Sequence, residues 1–365
     1  MSQFQSLRVS AKRAEGARAV ALSMAIPAEL TDAFKAAPGQ HVVLRAVIDG
    51  QEQRRTYSLY SDTRTATLNI CVRSDGGGRM TQYLLNQTQV GSSIDVHPPT
   101  GRFLLTAGTD GANYLAVAAG IGITPVLAIV TAILESQPRA RVTMLYGNRS
   151  TESVLFADAL QALKDRYLSR LSLHFFMSRE EQDLDVYQGR IDAQKLRDIA
   201  AGGFDVTGLD AAFLCAPEDL MTTLSQSLQA SGLAPSRIHL ERFVAAGAAA
   251  AAVVDPRIGT ATTETAAAAA TTAHVTVRMD GRVKSFHMPR DGSVSVLEAA
   301  AAAGLELPYS CKGGVCSTCR THLAKGSVQM SQNYALEDSE VEAGFVLTCQ
   351  SIPTSAELEL DYDTR

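Results

Sequence analysis

Hydrophobic and polar positions alternate with a two-residue period through the first hundred residues, in short runs at 41–48, 56–60 and 67–72. Turn residues separate them: Pro38-Gly39, Asp49-Gly50 and the glycines at 76–78. Such runs predict half-buried strands, and their spacing predicts a small antiparallel β-barrel or sandwich. From Asn113 to about Phe243 the rhythm changes. Apolar runs (LAVAA, VTMLY, LSLHFFM, AAFLC) alternate with helical patterns at 124–136, 156–164, after Asp192 and at 218–230. That alternation implies parallel βαβ units and a doubly wound α/β sheet, with ligands beyond the carboxyl ends of the strands.

Residues 244–273 are almost all Ala, Thr, Gly and Val, broken by Asp255-Pro256 and Gly259. They read as a flexible linker with a root-mean-square span of roughly 30 Å, a tether on which a terminal domain could move. From His274 alternation returns as HVTVRM and RVKSFHM around Asp280-Gly281, a strong hairpin signal. A helix over 294–303 follows, with Gly304 at its C-terminal cap. The expected organisation is multidomain: a β-barrel over 1–106, an α/β domain over 107–243, the linker over 244–273 and an α+β domain over 274–365.

Composition narrows the function classes. The 365 residues are 46% hydrophobic and 19% charged, which excludes collagen-like and wholly disordered chains. The net charge of −5 offers no basic field for nucleic acid. From His274 onward 12 acidic residues stand against 8 basic ones, so nearly all the net charge lies in the last domain. The uncharged stretch 114–134 has 21 residues, about the length a bilayer requires. Gly120, Gly122 and Pro125 interrupt it, and it reads as a buried strand, a glycine turn and a helix opening at Pro125; no membrane span is expected. The N-terminus has no apolar signal-peptide core, so a cytoplasmic location is expected.

The chemistry starts with cysteine. Four of six lie in Cys311-x4-Cys316-x2-Cys319 and, after 29 intervening residues, Cys349. This is the ligand spacing of a plant-type 2Fe-2S cluster, with Gly313 and Gly314 permitting the sharp turn. A four-cysteine zinc site, usually two well-separated C-x2-C pairs, is the alternative. Next comes Gly120-Ile-Gly122-Ile-Thr124-Pro125 between a strand and a helix, where glycines let a backbone approach a pyrophosphate. Pro125 stands where the dinucleotide fingerprint would place its last glycine. A third set is Arg55-Thr-Tyr57-Ser58 with Gly76-Gly77-Gly78-Arg79-Met80-Thr81. Arg suits a phosphate, Tyr a ring face, Ser a ring edge and bare glycine N–H groups a pyrophosphate. At the end of the second parallel strand, Arg149 with Ser150 favours a 2′-phosphate, hence NADPH over NADH.

In this order the motifs resemble the ferredoxin-NADP reductase superfamily, with a plant-type ferredoxin domain of β-grasp fold at the C-terminus. The resemblance implies FAD rather than FMN, held by Arg55, Tyr57, Ser58, Gly77, Gly78, Arg79, Met80 and Thr81. It implies a nicotinamide nucleotide on Gly120, Gly122, Thr124, Pro125, Arg149 and Ser150. Cys215-Ala216-Pro217 resembles the family's C-G-P box, with alanine departing from glycine. Cys215, Thr124 and Ser58 then stand at hydride transfer, with Glu241 and Phe243 near the flavin. The run NYALEDSEVEAGFVLTCQS narrows the likeness to reductase components of multicomponent oxygenases, in particular those serving a diiron component that acts on a coenzyme A thioester. The expected activity is electron transfer from NAD(P)H through flavin and cluster to an oxygenase partner. A stand-alone NAD(P)H:acceptor reductase and, outside enzymes, a four-cysteine redox or metal sensor remain open. The acidic run 337–342 reads either as a docking patch or as a solvated helix face, and Cys71 as an inert buried thiol.

Overall fold

The computed structural model describes residues 4–16, 18–61, 64, 66–74, 78–105, 111–243 and 272–364. The chain forms two compact units, Met1–Phe243 and Val244–Arg365. The stretch read as a linker lies outside the described residues, except that a strand already begins at Thr272.

The first unit opens with six antiparallel strands: β1 (Gln5–Glu15), β2 (Ala19–Ala25), β3 (His41–Ile48), β4 (Gln51–Ser58), β5 (Thr67–Arg73) and β6 (Ser93–Val96). Their order is β4-β3-β6-β1-β2-β5, and a bridge between Leu59 and Ile70 joins the two ends, closing the expected barrel. The β3–β4 hairpin turns on Asp49 and Gly50, both left-handed (φ 51° and 72°), as a two-residue turn that matches strand twist requires. A short helix, α1 (Arg79–Gln82), and the turn after it run over the barrel. Lys12 holds that turn by donating to the carbonyls of Leu84, Leu85 and Thr88 at 3.3, 2.8 and 2.7 Å.

The second half is a parallel sheet of β7 (Asn113–Ala119), β8 (Arg141–Asn148), β9 (Leu171–Met177), β10 (Ala211–Cys215) and β11 (Ile238–Leu240), in the order β11-β10-β7-β8-β9. Helices α2 (Ile123–Ser136), α3 (Ala157–Arg166), α4 (Ala193–Gly203) and α5 (Glu218–Ala230) connect the strands. Winding begins before Pro125: a 3-10 turn over Gly120–Gly122 runs directly into α2. Proline is tolerated inside a first turn because the N–H groups there have no helical acceptor anyway. Arg170 caps the far end of α2, donating to the carbonyls of Leu134, Gln137 and Ala140.

Barrel and sheet share one core, since Ala19, Cys71 and Phe103 of the barrel half are buried among α2 and sheet residues. The Glu15 carboxylate accepts from the Phe156 amide at 2.7 Å, holding Phe156 left-handed (φ 58°) against the Tyr60 ring.

The second unit packs α6 (Val296–Ala302) on a mixed sheet. Its strands are β12 (Thr272–Met279), β13 (Arg282–Pro289), β14 (Arg320–Lys325), β16 (Phe345–Leu347) and β18 (Glu357–Asp361), beside a small pair, β15 (Val328–Met330) with β17 (Ser351–Pro353). The Asp363 carboxylate ties down the β12–β13 turn through the amides of Asp280 and Gly281. Ser295 and Glu298 form a reciprocal cap on α6. The acidic run forms a last short helix, α7 (Asp338–Glu342), and Glu340 pairs with Arg320 at 3.0 Å, so part of the run is used within the domain.

Candidate functional site

The strand order of the parallel sheet reverses between β7 and β10, and the loops leaving those strands diverge there. Such a reversal leaves a crevice where ligands bind. Gly120 to Gly122 follow β7, and Cys215 to Pro217 follow β10. The two loops touch: a Cβ on Gly122 would lie 2.0 Å from the Cys215 carbonyl oxygen and 3.2 Å from its sulfur. Gly120 is left-handed (φ 54°) beneath the Arg73 guanidinium, and its carbonyl accepts from the Tyr146 hydroxyl at 3.1 Å. Thr124 is buried and donates to the Ile121 carbonyl at 3.0 Å, while Pro125 packs into the core. Burial, then the nearby Glu241 carboxylate, pushes the Cys215 thiol well above its usual range, so it stays neutral.

Beyond the carboxyl ends of these strands opens a cavity of about 810 Å³. Of the residues expected at the nucleotide site, Gly120, Arg149 and Ser150 line it together with Pro217, whereas Gly122, Thr124 and Cys215 are not among its lining. Four further arginines line it: Arg18 and Arg73 from the barrel half, Arg179 after β9, and Arg190. Glu152, Asp192 and Asp219 face the same space, so positive charge leads without being unopposed. The Arg179 amide donates to the Arg149 carbonyl at 2.7 Å, joining two of the arginines by a backbone hydrogen bond. Sequence reasoning missed these four because they gather from distant segments and carry no local motif.

On the barrel side, β4 presents Arg55, Tyr57 and Ser58. The Tyr57 hydroxyl bonds to Thr81, and burial raises its pKa far above the usual tyrosine value. Arg55 donates to the Arg54 carbonyl, and Arg79 to Gln51. Met80 is a barrel-core side chain, leaving only its backbone for a ligand. Gly78 precedes α1, while Gly76 and Gly77 lie outside the described residues. Ser58 Oγ is buried with no hydrogen-bond partner among the described residues. Its cross-strand partner is His41, also buried, whose Nδ1 makes no hydrogen bond among the described residues and lies 3.7 Å from the Glu241 carboxylate. Leaving such a buried atom unpaired costs about 1–3 kcal/mol. Two of them, side by side, form a cradle for a ring carrying donors and acceptors, which fits a flavin. His41 was invisible in the sequence, and Phe243 is exposed at the end of this unit. Cys71 is buried, its thiol pushed up to about 12 chiefly by burial.

In the second unit the four cysteines interact as two pairs, Cys311 with Cys316 and Cys319 with Cys349. Two pairs of thiols fit a two-iron cluster, which takes two per iron. The Cys316 side chain, and then the amides of Gly313, Val315 and Cys316, lower the pKa of Cys311. The loop achieves this with Lys312, Gly314 and Ser317 left-handed (φ 54°, 74° and 53°). Gly313, expected to help make the turn, is not among the left-handed glycines.

Family models match three segments: an oxidoreductase FAD-binding domain over 6–104, an oxidoreductase NAD-binding domain over 116–226 and a 2Fe-2S iron-sulfur cluster binding domain over 278–354. The chain is 37% identical to a component of 1,2-phenylacetyl-CoA epoxidase from Escherichia coli, over all of this chain and 99% of that one. It is 32% identical to the ferredoxin reductase component of 3-ketosteroid-9-alpha-monooxygenase from Rhodococcus rhodochrous, over 98% of this chain and 96% of that one. The solved phthalate dioxygenase reductase shares the fold over 98% of both chains, with a TM-score of 0.56 and 24% identity.

Proposed function

This chain belongs to the family of FAD- and 2Fe-2S-binding reductase components of oxygenases, and on that premise we propose that it carries electrons from NADPH to the diiron component of a phenylacetyl-CoA epoxidase. Nicotinamide gives up two electrons as a hydride, whereas a 2Fe-2S cluster takes one; bound flavin reconciles the counts. Arg55, Tyr57 and Thr81 hold FAD with the loop through Gly77, Gly78, Arg79 and Met80, and Ser58 with His41 supplies polar contacts to the ring. Gly120, Gly122, Thr124 and Pro125 shape the nucleotide crevice, and Arg149, Ser150 and Arg179 receive a 2′-phosphate. Neutral Cys215, with Thr124 and Ser58, borders the hydride path, flanked by Glu241 and Phe243. Cys311, Cys316, Cys319 and Cys349 hold the cluster.

The observation that carries the reading is the joining, in one chain, of an arginine-lined cavity at a strand-order reversal to two paired sets of thiols. The full-length likeness to the epoxidase component supports the choice of partner. The likeness to a 3-ketosteroid monooxygenase component supports a second reading, service to another oxygenase. No helix among the described residues is long and apolar enough to cross a membrane, and we place the protein in the cytoplasm. The test mixes the purified protein with epoxidase and steroid-oxygenase components and follows NADPH and NADH consumption with and without substrate. Coupling only to the phenylacetyl-CoA epoxidase components is the expected result; coupling only to another oxygenase overturns the choice of partner.

A further inference from the structure

Thr348, immediately before Cys349, is wholly buried and hydrogen-bonded on all sides. Its amide and its hydroxyl both reach the Cys319 carbonyl oxygen at 3.2 Å, and its own carbonyl accepts from the Leu297 amide at 3.0 Å. A hydroxyl has one hydrogen to give, and here Cys319 receives it. The second contact of the Thr348 oxygen, 2.9 Å from the Tyr362 hydroxyl, is therefore one it accepts. The result is a directed chain in which Tyr362 donates to Thr348 and Thr348 donates to Cys319. Tyr362 follows β18, 43 residues after Cys319 and 13 after Cys349, and packs on the core of the domain.

We propose that Tyr362 is a positioning residue for the Cys319–Cys349 pair, acting through Thr348, and that it raises the reduction potential of the cluster those cysteines hold. This rests on the reading of the four cysteines as 2Fe-2S ligands. The Tyr362 O–H points its hydrogen at Thr348 and the Thr348 O–H at the Cys319 carbonyl, so the two bonds form one ordered chain that ends on the backbone of a ligand cysteine. Cluster potentials respond to such hydrogen bonds and to the order of the ligands. Removing the Tyr362 hydroxyl removes one dipole and loosens the second, which disfavours the reduced form.

The test uses the full-length, cofactor-loaded protein. The protein is poised at a series of potentials with dithionite and mediator dyes, the flavin taking two electrons and the cluster one, and the low-temperature electron paramagnetic resonance signal of the cluster is recorded at each. Tyr362→Phe is expected to shift the electron-sharing equilibrium about fivefold toward the oxidised cluster, which at 59 mV per tenfold is about 40 mV lower in potential. Thr348→Val is expected to move the potential the same way, Thr348→Ser to restore it, and the Tyr362→Phe/Thr348→Val pair to fall well short of the sum. A Tyr362→Phe protein with an unchanged potential and signal overturns the proposal even if its melting temperature falls, because a structural bond alone would lower only the latter. A wild-type protein with no cluster signal overturns the ligand reading itself, which separates the two failures.

Discussion

The Cys215 carbonyl oxygen occupies the space that a side chain on Gly122 would need, 2.0 Å from where its Cβ would be. Two loops 93 residues apart in sequence are thus in backbone contact where the parallel sheet changes direction. Gly122→Ala must push them apart, since the obstacle is backbone and not the end of a flexible side chain. We expect a loss of a hundredfold or more in the rate of flavin reduction by NADPH, measured by stopped flow, with a melting temperature several degrees lower. Gly202→Ala, in α4 with nothing near the added carbon, is the control. It should leave the rate unchanged and stabilise the fold by up to about 1 kcal/mol.

Ser58 makes a prediction whose size depends on the flavin. No protein group among the described residues pairs with its buried hydroxyl, so Ser58→Ala should cost the protein without bound flavin less than about 1 kcal/mol. In the flavin-loaded protein the same change should lower the melting temperature and slow flavin reduction about tenfold. Thermal melts of both forms decide it, and equal destabilisation of both would mean that the hydroxyl does not face the ring.

Arg149 and Arg179 both line the cavity and are joined by a backbone hydrogen bond. Arg149→Asp should raise KM for NADPH about a hundredfold while leaving or lowering KM for NADH, as steady-state assays with an artificial electron acceptor would report. Arg179→Ala should act the same way, more weakly. If both nucleotides weaken equally, the arginines serve the part of the molecule that the two share.

The first unit should lose stability in mild acid. Burial lowers the pKa values of His97, His174 and His239, so each is neutral in the fold near neutrality. The unfolded chain takes up protons once pH falls below about 6.5, before the folded chain does, so the histidine contribution is complete above that pH and declines below it. Urea unfolding between pH 7.5 and 5 should show the decline. His174→Gln, which keeps a polar group near the Tyr187 hydroxyl, should flatten part of it.

What the sequence disclosed was local. Asp280-Gly281, the three cysteines at 311, 316 and 319 and each alternating apolar run are written within a dozen residues, and strands, hairpins and the cluster loop follow from them. Helix α5 begins and ends where periodicity put it, at Glu218 and Ala230. What stayed hidden was non-local. His41 gains meaning only when β3 lies opposite β4 and the chain returns 200 residues later with Glu241. Arg73 reaches the crevice only because barrel and sheet share a core. The left-handed Lys312 and Ser317 went unread for another reason, since glycine is the usual signal for such backbone and neither is glycine.

The contact between His41 and Glu241 also sets an order of events during synthesis. The barrel strands leave the ribosome first and can pair among themselves, but the carboxylate that faces His41 arrives only with residue 241. Contacts so distant in sequence close slowly, because the intervening loop must first give up its freedom. A nascent chain stalled anywhere before β11 would carry a barrel whose buried His41 still lacks its carboxylate neighbour, so this pairing marks completed synthesis of the unit.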